Sequence, residues 1–136
     1  MSTDNIERVF GKTIIPFGAH PEKHEIEIAK ILNKYGKNVE FLIPLDIKNT
    51  RTPDIKMDGL LWEIKSPKGS SSRTIETNLR NASKQSSNII IDLRRVKIDE
   101  ARAFSQINRE FKFRKVIKRI IVIRKNYELK VLDIKR

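Results

Sequence analysis

Apolar and polar positions along this chain fall into alternating periods that divide it into helices and strands. Up to residue 19 no period emerges, and Gly11, Pro16 and Gly18 interrupt the chain. This stretch reads as an arm with a short strand at Thr13-Ile14-Ile15. Ile28, Ala29, Leu32 and Tyr35 then recur at helical spacing, predicting a helix that Pro21 opens and Gly36 stops at a left-handed cap. Residues 39–43 predict a strand closed by Pro44, and residues 46–52 a polar connection. Two runs flanking Asp58-Gly59 predict a hairpin, since a two-residue turn needs positive φ at both central positions. Residues 67–72, with Gly69 and three serines, predict a loop. Ile75, Leu79, Ala82 and Ser86 predict a helix over 74–87. Residues 88–93 form the continuous apolar run of a strand covered on both faces. Ala103, Ile107 and Phe111 place a third helix over 99–113, and strands over 117–124 and 127–134 turn at Lys125-Asn126. The expected fold is α/β with a mixed central sheet. Residues 1–20 form an arm and 21–136 a single domain.

The hairpin brings chemistry with it. With the turn at 58 and 59, Met57 pairs with Leu60, Lys56 with Leu61 and Ile55 with Trp62, so Asp54 falls opposite Glu63. Opposed residues of an antiparallel pair hold their Cβ atoms roughly 4.5–5.5 Å apart on one face. Alternation adds Lys65 to that face and sends Leu60, Trp62 and Ile64 to the other. Two carboxylates so close repel each other unless they share a proton or a cation. An oxygen-rich pair of this kind suits Mg²⁺.

Charge narrows the class of partner. The net is +12 over 136 residues, and its distribution is uneven. Residues 1–93 carry 14 Lys/Arg against 12 Asp/Glu, whereas residues 94–136 carry 15 against 5. A surface this basic favours a polyanion, with nucleic acid phosphates the usual one. Arg114, Lys115, Lys118 and Arg119 are the expected backbone contacts in that segment. Without cysteine, disulfide frameworks and thiolate zinc sites are excluded. No signal peptide opens the chain and no apolar run approaches a membrane span.

Other candidates surround the hairpin. Glu25 shares the buried stripe of the first helix, where a carboxylate needs a metal or a site lysine as partner. Lys68, Ser71 and Arg73 lie where a loop meets a helix start, a place that can seat a phosphate. His20 and His24 raise a two-histidine ribonuclease reading, although four-residue spacing on one side of a helix suits metal co-ligation better than acid and base work. Trp62 is expected in the core.

Pro53-Asp54 followed by Glu63-Ile64-Lys65 resembles the motif of the PD-(D/E)XK nuclease superfamily, and the order αβββαβ resembles its restriction-endonuclease-like core, here followed by a helix and a C-terminal hairpin. Within it, His24-Glu25, Ala29, Leu32, Gly36, Pro53-Asp54, Gly59, Trp62-Glu63-Ile64-Lys65, Gly69-Ser70-Ser71, Thr74-Ile75, Ala82, Lys84-Gln85 and the strand at 89–93 look like the C-terminal transfer RNA nuclease domains of contact-dependent growth inhibition and related polymorphic toxins. The resemblance leaves residues 1–20 and 98–136 uncovered.

What it implies is a toxin delivered to the cytoplasm of a target cell, acting on transfer RNA with a divalent metal, Mg²⁺ or Mn²⁺. It also implies a cognate immunity protein, which the basic surface predicts to be acidic. Asp54 and Glu63 would hold the metal, Glu25 would complete or position that shell, and Lys65 would orient the attacking water or stabilise developing charge. In several branches of the superfamily a glutamine at the place of Gln85 reaches the site. A DNA endonuclease or junction resolvase of the same fold, a metal-free ribonuclease and a non-catalytic basic binding module are the alternatives.

Overall fold

The computed structural model describes residues 9–45 and 52–134; most of the expected connection at 46–52 and the first eight residues of the arm lie outside them. One seven-stranded sheet organises the chain, its strands side by side in sequence order. They are β1 (Thr13–Ile14), β2 (Val39–Phe41), β3 (Ile55–Met57), β4 (Leu60–Lys65), β5 (Asn88–Asp92), β6 (Arg119–Ile123) and β7 (Leu129–Asp133). Three helices accompany them: α1 (Lys23–Lys34), α2 (Thr74–Ser83) and α3 (Glu100–Phe113). β4, β5 and β6 run parallel, connected through α2 and α3, while β2–β3, β3–β4 and β6–β7 are antiparallel. The short strand of the arm pairs parallel with β2, so that part belongs to the sheet.

Two apolar layers sandwich the sheet. On one face Ile28, Ala29, Ile31 and Leu32 of α1 pack on Phe41, Ile55, Met57, Trp62, Ile64, Ile90 and Ile121. On the other, Ile75, Leu79 and Ala82 of α2 and Ala103 and Ile107 of α3 pack on Ile89, Ile91, Ile120 and Val122. The odd and even positions of β5 thus feed different cores, as a doubly covered strand must. Trp62 is buried and its Nε1 donates to Met57 O at 3.0 Å, confirming it as core. No helix among the described residues is long and apolar enough to cross a membrane.

The hairpin register is the expected one, Ile55 to Trp62, Lys56 to Leu61 and Met57 to Leu60. Asp58 and Gly59 both take positive φ, 56° and 74°, the conformation that a tight two-residue turn demands. Elsewhere boundaries move. α1 begins at Lys23, because Glu22 and Glu25 form a capping box in which Glu22 N donates to Glu25 Oε1 at 2.9 Å. β2 ends at Phe41, leaving Ile43 exposed. α2 stops at Ser83, four residues early, because Ser86 turns its hydroxyl to Leu61 O and ties the chain to β4. The last turn includes Tyr127, whose φ of 73° the residue type does not announce.

Candidate active site

Asp54 lies one residue before β3. Its backbone N–H still donates to Trp62 O at 3.0 Å, but the next ladder donor, Ile64 N, is taken by its side-chain Oδ2 at 2.7 Å. A carboxylate thus stands where backbone pairing gives out, and β3 parts from β4 at that point. Glu63, on β4 between Trp62 and Ile64, faces the layer covered by α2 and is only 4% exposed. That face is closed off from solvent, because β4 has a helix on both sides. Lys65 Nζ stands 3.6 Å from Glu63 Oε2, while Glu63 Oε1 is buried without a hydrogen-bond partner.

Burial, followed by the charge of Asp54, pushes the Glu63 carboxyl up to about 8, and Lys65 only partly offsets this. A cation in place of that proton would supply the counter-charge that the buried carboxyl and Asp54 lack. Glu25 is raised as well, by burial first and with Asp54 contributing, so the two carboxyls sense each other. They share the wall of a cleft of about 90 Å³ with His20, Pro21, Phe41, Pro53 and other residues.

Even so, the described residues gather no group of three His, Asp or Glu side chains able to enclose a metal. Glu25 does not close on the pair as a third ligand, because its Oε1 is committed to capping α1. Asp54 and Glu63 would hold a divalent cation through oxygen alone, the donor type that Mg²⁺ prefers.

The remaining candidates separate into two ends of the sheet. Lys68, Ser71 and Arg73 line an open hollow of about 350 Å³ with Thr74, Thr77 and Asn78, on the loop that follows Lys65. This is the carboxyl end of the parallel strands, where open α/β sheets usually bind ligands. Gln85 is at the other end. It lies in the closing turn of α2, where Gln85 N and Ser86 N both donate to Ala82 O, beside the start of β4. The structure does not bring it to the carboxylates.

Arg114, Lys115, Lys118 and Arg119 also lie at that far end, with Lys118 N and Arg119 N both donating to Ser87 O. Arg114 is held by Glu110 at 2.7 Å, and Arg119 by Asn88 and Asp133; Lys115 and Lys118 are exposed. His24 faces Glu22 at 3.4 Å, whereas His20 precedes α1, so the pair does not share a helix side.

One set of residues had no sequence expectation attached. Asp92, fully buried at the end of β5, accepts Arg94 Nε and Nη2, both at 2.9 Å, Arg94 N at 3.0 Å and Ser66 Oγ at 3.1 Å. Arg95 Nη2 donates to Ser66 O at 2.9 Å. This network fixes the residue immediately after Lys65. Its signal was an acid inside an apolar run, followed at once by two arginines.

Among solved structures, the fold is similar to a chain from the CdiA-CT/CdiI toxin and immunity complex of Burkholderia pseudomallei, with a TM-score of 0.68 at 20% identity. The likeness covers 90% of this chain and 99% of that one. No curated protein matches the chain. A family model described as the contact-dependent growth inhibition CdiA C-terminal domain matches residues 51–129, a stretch that includes Asp54, Glu63 and Lys65 and runs through α3 into β7. Spanning more than half of its length, that match places the chain in the CdiA C-terminal domain family of contact-dependent growth inhibition.

Proposed function

We propose that this domain is a metal-dependent nuclease toxin that hydrolyses phosphodiester bonds in transfer RNA. The observation that carries the reading is Glu63: a buried carboxylate with one oxygen unpartnered, set beside Asp54 and Lys65 at the point where β3 leaves β4. Asp54 and Glu63 would hold Mg²⁺ or Mn²⁺, which supplies Lewis-acid polarisation of the phosphate and an acidified water. Asp54 is pinned by Ile64 N, so its second oxygen keeps a fixed direction. Lys65, already drawn to Glu63, offers its ammonium to charge developing on the phosphoryl oxygens. Glu25 holds or orients water from the cleft wall. Lys68 and Arg73 grip a flanking phosphate.

An acidic cognate immunity protein completes the proposal. The similar structure from Burkholderia pseudomallei is a toxin and immunity complex, and a chain of net +12 gives an acidic partner strong electrostatic steering. Toxicity on expression, relieved by the adjacent small open reading frame, is the expected cellular result.

The decisive test is incubation of the purified domain with total transfer RNA and with plasmid DNA, in Mg²⁺ and in EDTA. Transfer RNA should be cut in Mg²⁺ and spared in chelator. Asp54→Ala should be inactive with an unchanged circular dichroism spectrum. Equal cleavage by Asp54→Ala, or full activity in EDTA, would overturn the mechanism. Preferential cutting of plasmid would replace the substrate.

A further inference from the structure

The outer surfaces of α1 and α3, on opposite faces of the sheet, are charged in different ways. α1 exposes Lys23, Glu27, Lys30 and Lys34, a mixture of signs. α3 exposes Arg102, Ser105, Asn108, Arg109 and Lys112 with no acid among them. Its two acids are already engaged: Glu100 with Arg124 at 2.8 Å and with Lys125 N, and buried Glu110 with Arg114. Among the described residues, neither Arg102, Arg109 nor Lys112 takes part in an ion pair. At 100° and 1.5 Å per residue these three fall on a stripe roughly 80° wide and about 15 Å long. Lys115 and Lys118 are exposed too, on the segment that follows the helix. The row begins at the carboxyl end of β5, the end that bears Lys65, and runs to the opposite end.

We infer that this face of α3 is a second nucleic-acid contact, separate from the carboxylate site, that binds the sugar-phosphate backbone of a double-helical RNA stem. The inference rests on the nuclease reading and adds the form of substrate that the domain takes. A straight, rigid row of cations matches a rigid ladder of phosphates, and such contacts position a substrate without reading its sequence. Single-stranded RNA is bound by stacking bases on aromatic rings, and the only exposed aromatic of α3 is Phe113 at its far end. A protein partner would anchor on apolar and aromatic side chains. Along the α3 row such side chains are exposed only at its far end, at Phe113 and Val116, whereas Phe10, Ile14, Phe17 and Ile43 are exposed around the other edge of the sheet.

The test is the triple reversal Arg102→Glu, Arg109→Glu and Lys112→Glu in the full chain, made in an Asp54→Ala background. Binding is read by fluorescence anisotropy against an RNA hairpin stem and a single-stranded RNA of equal length, over a series of KCl concentrations. Stem affinity should fall at least about tenfold, and its salt slope should shrink by about two to three. Single-strand affinity should change far less. An unchanged stem slope, or equal losses on both RNAs, would overturn the inference. Loss of immunity-protein binding with stem binding intact would overturn it too, by assigning the face to a protein. Conservative Arg102→Lys and Arg109→Lys should bind the stem as wild type does, since phosphate contacts here need charge alone. Because the readout is binding, a wild-type domain that cuts no RNA would sink the nuclease reading and leave this result standing.

Discussion

Glu63 and Asp92 are both buried acids on adjacent strands, 4% and 0% exposed, and they are treated in opposite ways. Asp92 receives four donors, two from one guanidinium, and both of its oxygens are satisfied. Glu63 has a single cation 3.6 Å from one oxygen, nothing on the other, and a second carboxylate beside it. A protein that meant both residues for architecture would saturate both, since an unpaired buried charge costs several kcal/mol. A saturated acid holds the frame, and an unsaturated one is held for something that arrives. The two networks meet at Lys65-Ser66, so the frame sets the position of the site.

The two acids should differ most in their effect on rate. Glu63→Gln keeps the shape and removes the charge. Cleavage should drop by about 10³-fold or more, the scale of a lost electrostatic or metal contact at about 4 kcal/mol. Thermal stability should hold or rise. Asp92→Ala should do the reverse, leaving Arg94 with Glu27 3.9 Å away and the Tyr127 ring 5.6 Å away in place of its bidentate acid. Removing one partner of a buried pair costs about 3–5 kcal/mol, visible as a lower Tm and urea midpoint. If Glu63→Gln unfolds the chain while Asp92→Ala leaves Tm unchanged, the roles are exchanged.

A pH series sharpens the same contrast. In chelator, folded Glu63 keeps its proton up to about 8, whereas its ordinary value is 4.5. Its folded value is raised, so its contribution to stability is complete below 4.5 and is lost as pH rises through about 8. Stability of the chelated protein should therefore fall across that window, by up to about 5 kcal/mol at about 1.4 kcal/mol for each pH unit between the two values. Glu63→Gln should flatten the decline. A wild-type and Glu63→Gln pair with identical pH profiles would mean that Glu63 is ionised in the fold throughout.

How much of this was legible in the sequence follows from which interactions are local. The hairpin register was, because Asp58-Gly59 admits few turn geometries and a period of two then fixes every partner. The apolar faces of the three helices and the doubly covered β5 followed from apolar spacing alone. Helix ends did not, since the Ser86–Leu61 bond that stops α2 early spans 25 residues. Gln85 shows the same limit: its N–H closes the last turn of α2 on Ala82 O, and where it stands relative to the carboxylates depends on that long-range tie. Glu25 was read from its stripe, and the capping box that occupies it was missed although Glu22 and Glu25 have the right spacing. The basic third was visible as charge, but which cations are tied to acids depends on tertiary contacts such as Arg119 with Asp133.

Paired and unpaired cations repeat the contrast of Glu63 and Asp92 with the opposite sign of charge. Arg119 and Lys118 are neighbours in sequence at the start of β6, yet Arg119 is half-buried between Asn88 and Asp133 while Lys118 is exposed. A cation already paired with an acid displaces few counterions when a phosphate approaches, whereas an unpaired one releases about 0.9 per contact. Lys115→Ala with Lys118→Ala should therefore lower the salt slope of RNA binding by up to about two and leave Tm unchanged. Arg119→Ala should leave the slope nearly alone and cost about 0–1 kcal/mol of stability, as an exposed pair does. Salt titrations of the two variants beside wild type decide it. Equal slopes for both variants would mean that Asp133 releases Arg119 when RNA binds, and that pairing in the unbound protein does not mark which cations are reserved for the frame.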